Sequence, residues 1–179
     1  SVSLSSDGTT VAIGAYYNDD GGGMAGHVRI YKLGGNIWNQ LGVDIDGERA
    51  MDLSGHSVSL SSDGRTVAIG AYLNKGKDGS SASVGQERIY QLDGDDWNEV
   101  GDIYGEAAGD LSGFSVSLSS DGRTVAIGAY ANDGTYTDAG HVRIYHHYGD
   151  AWTQLGVDID GENSRDNSGH SVSLSSDGR

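Results

Sequence analysis

The sequence has no cysteine, no proline and only one phenylalanine among its 179 residues. Without cysteine no disulfide can brace the fold, and the redox compartment is left open. Thirty glycines and a hydrophobic fraction of 36% accompany these absences. This composition predicts a turn-rich β protein of about one domain in size, and it argues against a helical one.

Basic residues are also scarce, since 11 Lys and Arg face 26 Asp and Glu and give a net charge of −15. Phosphate-rich partners need cations on the protein, so neither a nucleic acid nor an anionic membrane surface is expected as a partner. No apolar run approaches the roughly 18–20 residues that span a bilayer, so membrane insertion is not expected. The acidic side chains are expected to form a solvated surface, with divalent-cation binding as the alternative.

The chain is built from a tandem repeat. The stretch Ser115–Tyr130 occurs almost unchanged at Ser57–Tyr72 and Ser1–Tyr16, and its first nine residues return at Ser171–Arg179. Such self-similarity at a fixed period is typical of repeat architectures. We therefore divide the chain into repeats 1–56, 57–114 and 115–170, with residues 171–179 as the first strand of a further repeat; together they are expected to form one partial propeller domain.

Each repeat opens with a predicted β-hairpin. Val116 and Leu118 alternate with serines, which is the period-two pattern of a strand with one apolar face. The segment Ser119–Gly122 then supplies turn chemistry, because Asp can bond its own backbone and Gly accepts positive φ. Val125 and the residues alternating with it resume the pattern, and the small residues opposite suit a sheet packed closely above.

Two further strands complete the predicted unit, one at His27–Tyr31 and one at Trp38–Leu41 in the first repeat. Four short antiparallel strands per repeat predict an all-β fold of β-propeller-type repeats with four-stranded antiparallel blades: three blades plus the start of a fourth. Three blades do not close a ring, and the chain starts and stops at the same phase of the repeat. We therefore expect either a segment of a longer array or a unit whose ends need neighbours.

Aromatic and acidic residues at fixed offsets are interpreted as structural anchors. Because they recur in every repeat, we expect the tryptophans and tyrosines to pack between blades and the aspartates to organise the hairpin turns. The predicted anchors are Trp38, Trp97, Trp152, Tyr31, Tyr90, Tyr145, Asp7, Asp63 and Asp121.

Part of this pattern resembles a known repeat. The segment from Ser112-Gly-Phe-Ser-Val-Ser-Leu-Ser-Ser-Asp-Gly to Ala-Ile-Gly-Ala-Tyr130 resembles an FG-GAP repeat, the blade unit of integrin-α-type propellers. Ser-Gly-His and Gly-His-Val-Arg-Ile-Tyr also resemble a WD-repeat. Gly-Phe stands where the first family has Phe-Gly, and Tyr130 replaces its Pro. The resemblance implies four-stranded blades and an extracellular or cell-surface location.

Candidate metal ligands lie after the fourth strand. Alternate carboxylates on a strand point the same way, and a glycine lets the chain bend around a hard cation such as Ca²⁺. A solvated turn between blades is the alternative. The candidate ligands are Asp44, Asp46 and Glu48, their counterparts Asp158, Asp160 and Glu162, and in a weaker second set Asp19 and Asp20.

No catalytic residue is predicted. His56 and His170 share a repeat position with Phe114, which indicates packing, and His146 and His147 face opposite ways on a strand. Near-identical repeats offer each carboxylate several times, whereas an active site needs unlike groups tuned against one another. The sequence therefore favours a protein that is not an enzyme.

The sequence is compatible with three functions. The first is a non-enzymatic propeller segment for adhesion or recognition of a protein or glycan, with Lys75–Val84 as the one variable loop. The second is a structural subunit that associates with further copies of the same repeat and polymerises into a filament or surface appendage. The third, ranked lowest, is a propeller lyase or glycosidase. Fold type alone carries little weight for this choice.

Overall fold

A computed structural model describes residues 1–77, 79 and 82–178. These residues form three antiparallel β-sheets and contain no helix, so the predicted all-β class and the four-stranded antiparallel units are confirmed. No helix long and apolar enough to cross a membrane occurs in the residues described. The variable loop Lys75–Val84 lies partly outside the described residues, as does Arg179 at the end of the predicted further strand.

The first sheet has the spatial order β1-β2-β3-β4, with β5 pairing back onto β3. Its strands are β1 (Val2–Leu4), β2 (Thr10–Ala15), β3 (His27–Gly34), β4 (Ile37–Gln40) and β5 (Ile45–Asp46).

The second and third sheets repeat this meander. The second consists of β6 (Ser57–Leu60), β7 (Thr66–Ala71), β8 (Gln86–Asp93) and β9 (Asp96–Tyr104). The third consists of β10 (Ser115–Leu118), β11 (Thr124–Ala129), β12 (His141–Tyr148), β13 (Ala151–Gln154) and β14 (Ile159–Asp160).

The hairpin that opens each sheet is held by its turn chemistry. In the third sheet Asp121 Oδ1 accepts hydrogen bonds from Ser119 Oγ at 2.6 Å and from the Arg123 backbone N–H at 3.0 Å. These bonds satisfy the turn locally, and Leu118 then pairs with Val125 at the end of the ladder. Asp7 and Asp63 accept the corresponding bonds in the other two sheets.

After the fourth strand the chain turns back onto its own sheet before the next repeat begins. It returns to the third strand of its own sheet, so that Ile45 pairs with Val28 and Ile159 pairs with Val142. In the second sheet β9 is continuous and covers both parts, with a bulge opposite Ile89 and Tyr90. Ile45 and Ile103 are buried beside the third strand, which stabilises the return in the first and second sheets, whereas Ile159 in the third sheet is 57% exposed.

Neighbouring sheets meet along their first strands. The Leu60 backbone N–H donates to Ser3 Oγ at 2.9 Å, and the Leu118 N–H donates to Ser59 Oγ at 2.9 Å. The same bond joins the Leu174 N–H to Ser117 Oγ at 3.1 Å. The serines that alternate with apolar residues therefore link one sheet to the next.

The hydrophobic core lies in two layers between the sheets. Both layers combine small or β-branched residues of one sheet with the opposite apolar face of the next, which allows close packing. The layer between the first and second sheets contains Ala12, Val28, Ile30, Ile45, Val58, Leu60, Val67, Ile69 and Tyr90. The layer between the second and third contains Ala68, Ile89, Ile103, Leu118, Val125 and Ile127.

A row of aromatic rings crosses all three sheets at one end. Successive ring centroids lie 4.4 to 5.6 Å apart, and burial lowers the pKa of the His56 imidazole within the row. This aromatic row consists of Tyr16, His56, Tyr72, Phe114, Tyr130 and His170. The described residues form no closed ring of sheets.

Candidate functional site

The polar side chains capable of catalysis or ligand binding lie at one end of the sheets. This loop end contains the loops before β3, β8 and β12 and the links at 47–56, 105–114 and 161–170. The third strand of each sheet begins there with His27, Gln86 or His141. Two residues later each strand carries an arginine, on the same face because side chains alternate along a strand. These arginines are Arg29, Arg88 and Arg143.

The most complete constellation lies between the second and third sheets. Buried His141 places Nδ1 3.6 Å from Asp158 Oδ2, and Arg143 Nη1 lies 3.3 Å from Glu106 Oε1. Single ligand atoms of Glu106, His141 and Asp158 lie within 4.8 Å of one another. Burial lowers the pKa of the His141 imidazole, and the charge of Arg143 lowers it further.

The central arginine of this constellation reaches across the sheet boundary. Arg143 Nη2 donates to the Tyr104 backbone carbonyl at 2.9 Å, and its side chain is only 5% exposed. Arg88 makes the same contact one sheet earlier, with Nη2 2.7 Å from the Asp46 carbonyl oxygen. Within the described residues the Nε atoms of both arginines have no hydrogen-bond partner.

Glu106 is the accessible group of the constellation. Its side chain is 51% exposed, and its Oε1 atom forms an ion pair with the buried guanidinium of Arg143. The ion pair therefore orients a carboxylate that solvent can reach, while its cationic partner is buried. Such a carboxylate can accept a proton from a water molecule or bind a cationic group.

A basic side chain, Lys77, lies over the last residues of β9, next to Asp102 and Tyr104. Lys77 Nζ lies 5.1 Å from the ring centroid of Tyr104, two positions before Glu106, and 3.8 Å from Asp102 Oδ2. Its side chain is 74% exposed. Arg49 reaches the same loop through Nη1, which donates to the Gly76 carbonyl at 2.7 Å. Tyr104 keeps its proton, because burial together with Asp102 raises its pKa to about 12.

At the boundary between the first and second sheets the amide of Gln86 takes the place that the imidazole of His141 has at the next boundary. Gln86 Nε2 donates to Asp102 Oδ1 at 2.8 Å, to Tyr104 Oη at 2.9 Å and to Glu48 Oε2 at 3.1 Å. Asn74 Nδ2 donates to Gln86 Oε1 and to Asp52 Oδ2, each at 3.0 Å. The side chains of Gln86, Asn74 and their acceptors therefore form one hydrogen-bonded polar network at this boundary.

A carboxylic acid is buried next to these networks. Glu87 is 0% exposed and accepts a hydrogen bond from Ser112 Oγ at 3.1 Å. Burial raises the pKa of Glu87 to about 8, although the nearby charge of Arg143 opposes the shift. Val28 and Val142 occupy the equivalent positions of the other sheets.

The predicted calcium ligands are not brought together as one set per repeat. Asp44 accepts from Arg29 Nε at 2.8 Å and Nη2 at 2.7 Å, which lowers its pKa. Asp46 lies near His27, whereas Glu48 crosses to Gln86 of the next sheet.

The remaining predicted calcium ligands also contact different partners. Asp158 and Asp160 approach His141 within 3.6 and 4.0 Å, while Glu162 is exposed. Asp19 accepts a bond from the Met24 backbone N–H, and Asp20 lies 4.0 Å from His27.

The predicted aromatic anchors lie at the sheet boundaries. Trp97 Nε1 donates to the Leu41 carbonyl at 3.0 Å and Trp152 Nε1 to the Val100 carbonyl at 3.1 Å. Trp38, on the outer face of the first sheet, is 43% exposed. Tyr90 and Tyr145 pack in the core layers, and Tyr31 holds the equivalent position on the outer face of the first sheet, where it is half-buried.

Several residues of the loop end were missed by sequence reasoning. His27, His141 and the arginines belong to a motif that predicts only a strand, and Glu106 holds in the second repeat the position of Glu48 and Glu162. The available signal was the i, i+2 spacing of His and Arg, which places both on one face.

Comparison with known proteins gives a likeness in fold alone. No family model matches the chain, and no curated protein matches it. Among solved structures, a putative 6-phosphogluconolactonase from Bacteroides fragilis superimposes with a TM-score of 0.57 at 15% identity, over 89% of this chain and 38% of its own. A putative 6-phosphogluconolactonase from Bacteroides uniformis gives 0.57 at 12% identity, over 87% of this chain and 39% of its own.

These findings correct the family and function predicted from sequence. The FG-GAP assignment, with its WD-repeat features, is wrong, because no family model matches and the structural neighbours are lactonase-like. The adhesion role, the filament and the expectation of a protein that is not an enzyme are wrong for the same reason. The extracellular location and the protein or glycan partners stay predictions. This chain spans less than two fifths of the length of either neighbour.

Proposed function

We propose that the three sheets are consecutive blades of a β-propeller and that the chain is part of an enzyme that hydrolyses a sugar lactone at the loop end. The fold likeness to lactonase-like proteins supports the class of enzyme. The single observation that carries the proposal is the half-exposed carboxylate of Glu106, oriented by the buried guanidinium of Arg143.

The propeller is supported by identical contacts at successive sheet boundaries. The serine bonds between first strands, the tryptophan bonds and the arginine bonds each recur at the next boundary. One rotation applied repeatedly to a four-stranded unit generates a propeller.

The apolar face of the first sheet also fits this arrangement. Leu4 and Ile13 are 56% and 42% exposed, whereas their counterparts Leu60 and Ile69 are 7% and 1% exposed because the first sheet covers them. In a propeller this face is the one on which another blade packs.

Glu106 has the position and chemistry of a general base. A lactone is a cyclic ester, so water must attack its carbonyl carbon while a base takes the proton of that water. The C–O bond to the ring oxygen then breaks, that oxygen receives the proton, and the product is an open-chain hydroxy acid. In this scheme Arg143 is a positioning residue, because it contacts the carboxylate and is itself buried.

Lys77 supplies the charge that an anionic substrate needs. It is exposed and lies over Tyr104, in the strand that leads directly to Glu106. Arg49 contributes a second cation to the same loop. Although the chain carries a net charge of −15, these two side chains offer a local site for a phosphate or carboxylate on the sugar.

Hydrolysis of 6-phosphogluconolactone by the 179-residue chain tests the proposal. We expect acid release above the spontaneous rate, followed at constant pH. Lys77→Ala should raise KM for this substrate about 10-fold with kcat unchanged, because it removes binding made equally in the ground and transition states. The same variant should leave hydrolysis of unphosphorylated gluconolactone unchanged. The absence of any acceleration over the spontaneous reaction would contradict the proposal.

A further inference from the structure

The His27 imidazole is buried among carboxylates without a hydrogen bond at Nδ1. The residue is 4% exposed at the start of β3, and Nδ1 has no hydrogen-bond partner among the described residues. It is directed at Asp44 Oδ2, Asp20 Oδ2 and Asp46 Oδ1, at 3.7, 4.0 and 4.0 Å. A buried polar atom left unpaired is costly, so this nitrogen needs a partner of another kind.

The distances around Nδ1 suit ligands that share one ion. They are too long for hydrogen bonds, whose heavy atoms lie about 2.7–3.2 Å apart. Nitrogen and oxygen ligands at about 2.0–2.2 Å from a common metal ion lie roughly 3–4 Å from each other. Ligand atoms of Asp20, His27 and Asp44 lie within 4.8 Å of one another, so a small adjustment would close the set.

In the second sheet the position equivalent to His27 is occupied by a residue that forms hydrogen bonds to its neighbours. Gln86 replaces His27, and its amide nitrogen donates to the surrounding oxygens of Asp102, Tyr104 and Glu48. Three acceptors therefore converge on one positively polarised group. In the first sheet three carboxylates also surround the residue at this position, but they lie 3.7 to 4.0 Å from a ring nitrogen.

The local charge also favours a divalent ion. Asp20, Asp44 and Asp46 bring three negative charges against the single positive charge of Arg29, which holds Asp44 Oδ2 through Nε and Nη2. The excess of two negative charges equals the charge of one divalent cation. Arg29 also fixes the orientation of the Asp44 carboxylate, as outer partners of metal ligands commonly do.

We propose that His27 Nδ1, Asp20 and Asp44 bind a divalent transition-metal ion such as Zn²⁺, with Asp46 beside it as a further oxygen ligand. The imidazole nitrogen selects this class over Ca²⁺, which takes six to eight oxygen ligands. This site is independent of the proposed lactone hydrolysis, which rests on Glu106 in another sheet boundary.

Titration of the 179-residue chain with Zn²⁺, and with Co²⁺ as a spectroscopic probe, tests the site. We expect the first equivalent to bind at His27, whose Nδ1 has no hydrogen-bond partner among the described residues, and Co²⁺ to give visible absorption bands. His27→Gln copies the natural Gln86 arrangement, so circular dichroism should show the fold intact. Loss of an outer partner typically weakens metal binding 10–100-fold, so removal of the ligand itself should cost at least about 100-fold.

His141→Gln is the matched control, because His141 lies with a different pair of carboxylates, Glu106 and Asp158. It should leave the affinity of the His27 site within about twofold. The proposal is overturned if the wild-type chain binds neither ion, if His27→Gln binds like wild type, or if His141→Gln alone removes binding. Ca²⁺ binding that survives His27→Gln would likewise exclude His27 as a ligand.

Discussion

Trp97 in the second sheet donates a hydrogen bond from Nε1 to the carbonyl oxygen of Leu41 in the first sheet, at 3.0 Å. The indole also packs against the core layer between these sheets, together with Leu41. The Trp97 side chain therefore stabilises the boundary in two ways: its ring packs against the core, and its N–H group pairs with the Leu41 carbonyl.

We expect Trp97→Ala to lower the free energy of unfolding by about 3 kcal/mol, because it removes both the packed ring and the donor to Leu41. Trp38→Ala is the matched control, since this tryptophan occupies the same repeat position but is 43% exposed. It should cost less than about 1 kcal/mol. Urea unfolding measures both changes, and equal losses would show that the boundary contact does not stabilise the fold.

Glu87 should make stability depend on pH. Burial raises its pKa from 4.5 to about 8, so the folded protein holds a proton that the unfolded chain releases. Its contribution to stability is fully present below pH 4.5 and is lost as the pH rises towards 8. We expect Glu87→Gln to be more stable than wild type at pH 9, by at least about 2 kcal/mol, with little difference at pH 4.

Thermal unfolding between pH 4 and 9 measures this effect. Glu87→Val, which copies Val28 and Val142, is a second variant without a titrating group and should show the same flattening. If wild type and both variants keep a constant difference over this range, Glu87 does not titrate as described.

Gly70 marks a close approach of two backbones. A Cβ built on this strand residue would lie well inside van der Waals contact with the carbonyl oxygen of Gly113, in the link that follows β9. Gly70→Ala should therefore cost about 3 kcal/mol, since backbone must move to admit the methyl group. Gly94→Ala is the control: its φ is +63°, but nothing lies within 4 Å, so only about 1 kcal/mol is expected.

Chemical denaturation compares these two alanine variants. A smaller loss for Gly70→Ala than for Gly94→Ala would contradict the close contact between strand and link. Gly14 and Gly128 face the carbonyl oxygens of Gly55 and Gly169 in the same manner, so they should behave like Gly70.

The repeat period and the alternating pattern predicted much of the fold. They placed the opening hairpins, the strands beginning near His27 and Trp38, and the turn chemistry of Asp121. These features are local, because a turn and its two flanking strands are specified by neighbouring residues. The return of Ile45 onto β3 was missed, since its cause is burial beside a strand distant in sequence.

The polar site was harder to predict because its members come from different repeats. Asp44, Asp46 and Glu48 were grouped as if they continued one strand. The strand ends at Asp46, so Glu48 turns instead towards Gln86 of the next sheet. Periodicity within one repeat cannot show which neighbour a side chain meets. The FG-GAP resemblance relied on turn and strand patterns that many β proteins share, so it carried no function.

Lactone hydrolysis by matched glutamine variants tests the central claim most directly. Glu106 is anchored by Arg143 at a sheet boundary, whereas Glu162 holds the equivalent repeat position and is exposed. Loss of a general base typically costs 10²–10⁴-fold in rate. We therefore expect Glu106→Gln to lower kcat for 6-phosphogluconolactone at least about 100-fold and Glu162→Gln to leave it unchanged. Equal rates for wild type and Glu106→Gln would contradict the assignment of the loop end as the catalytic face.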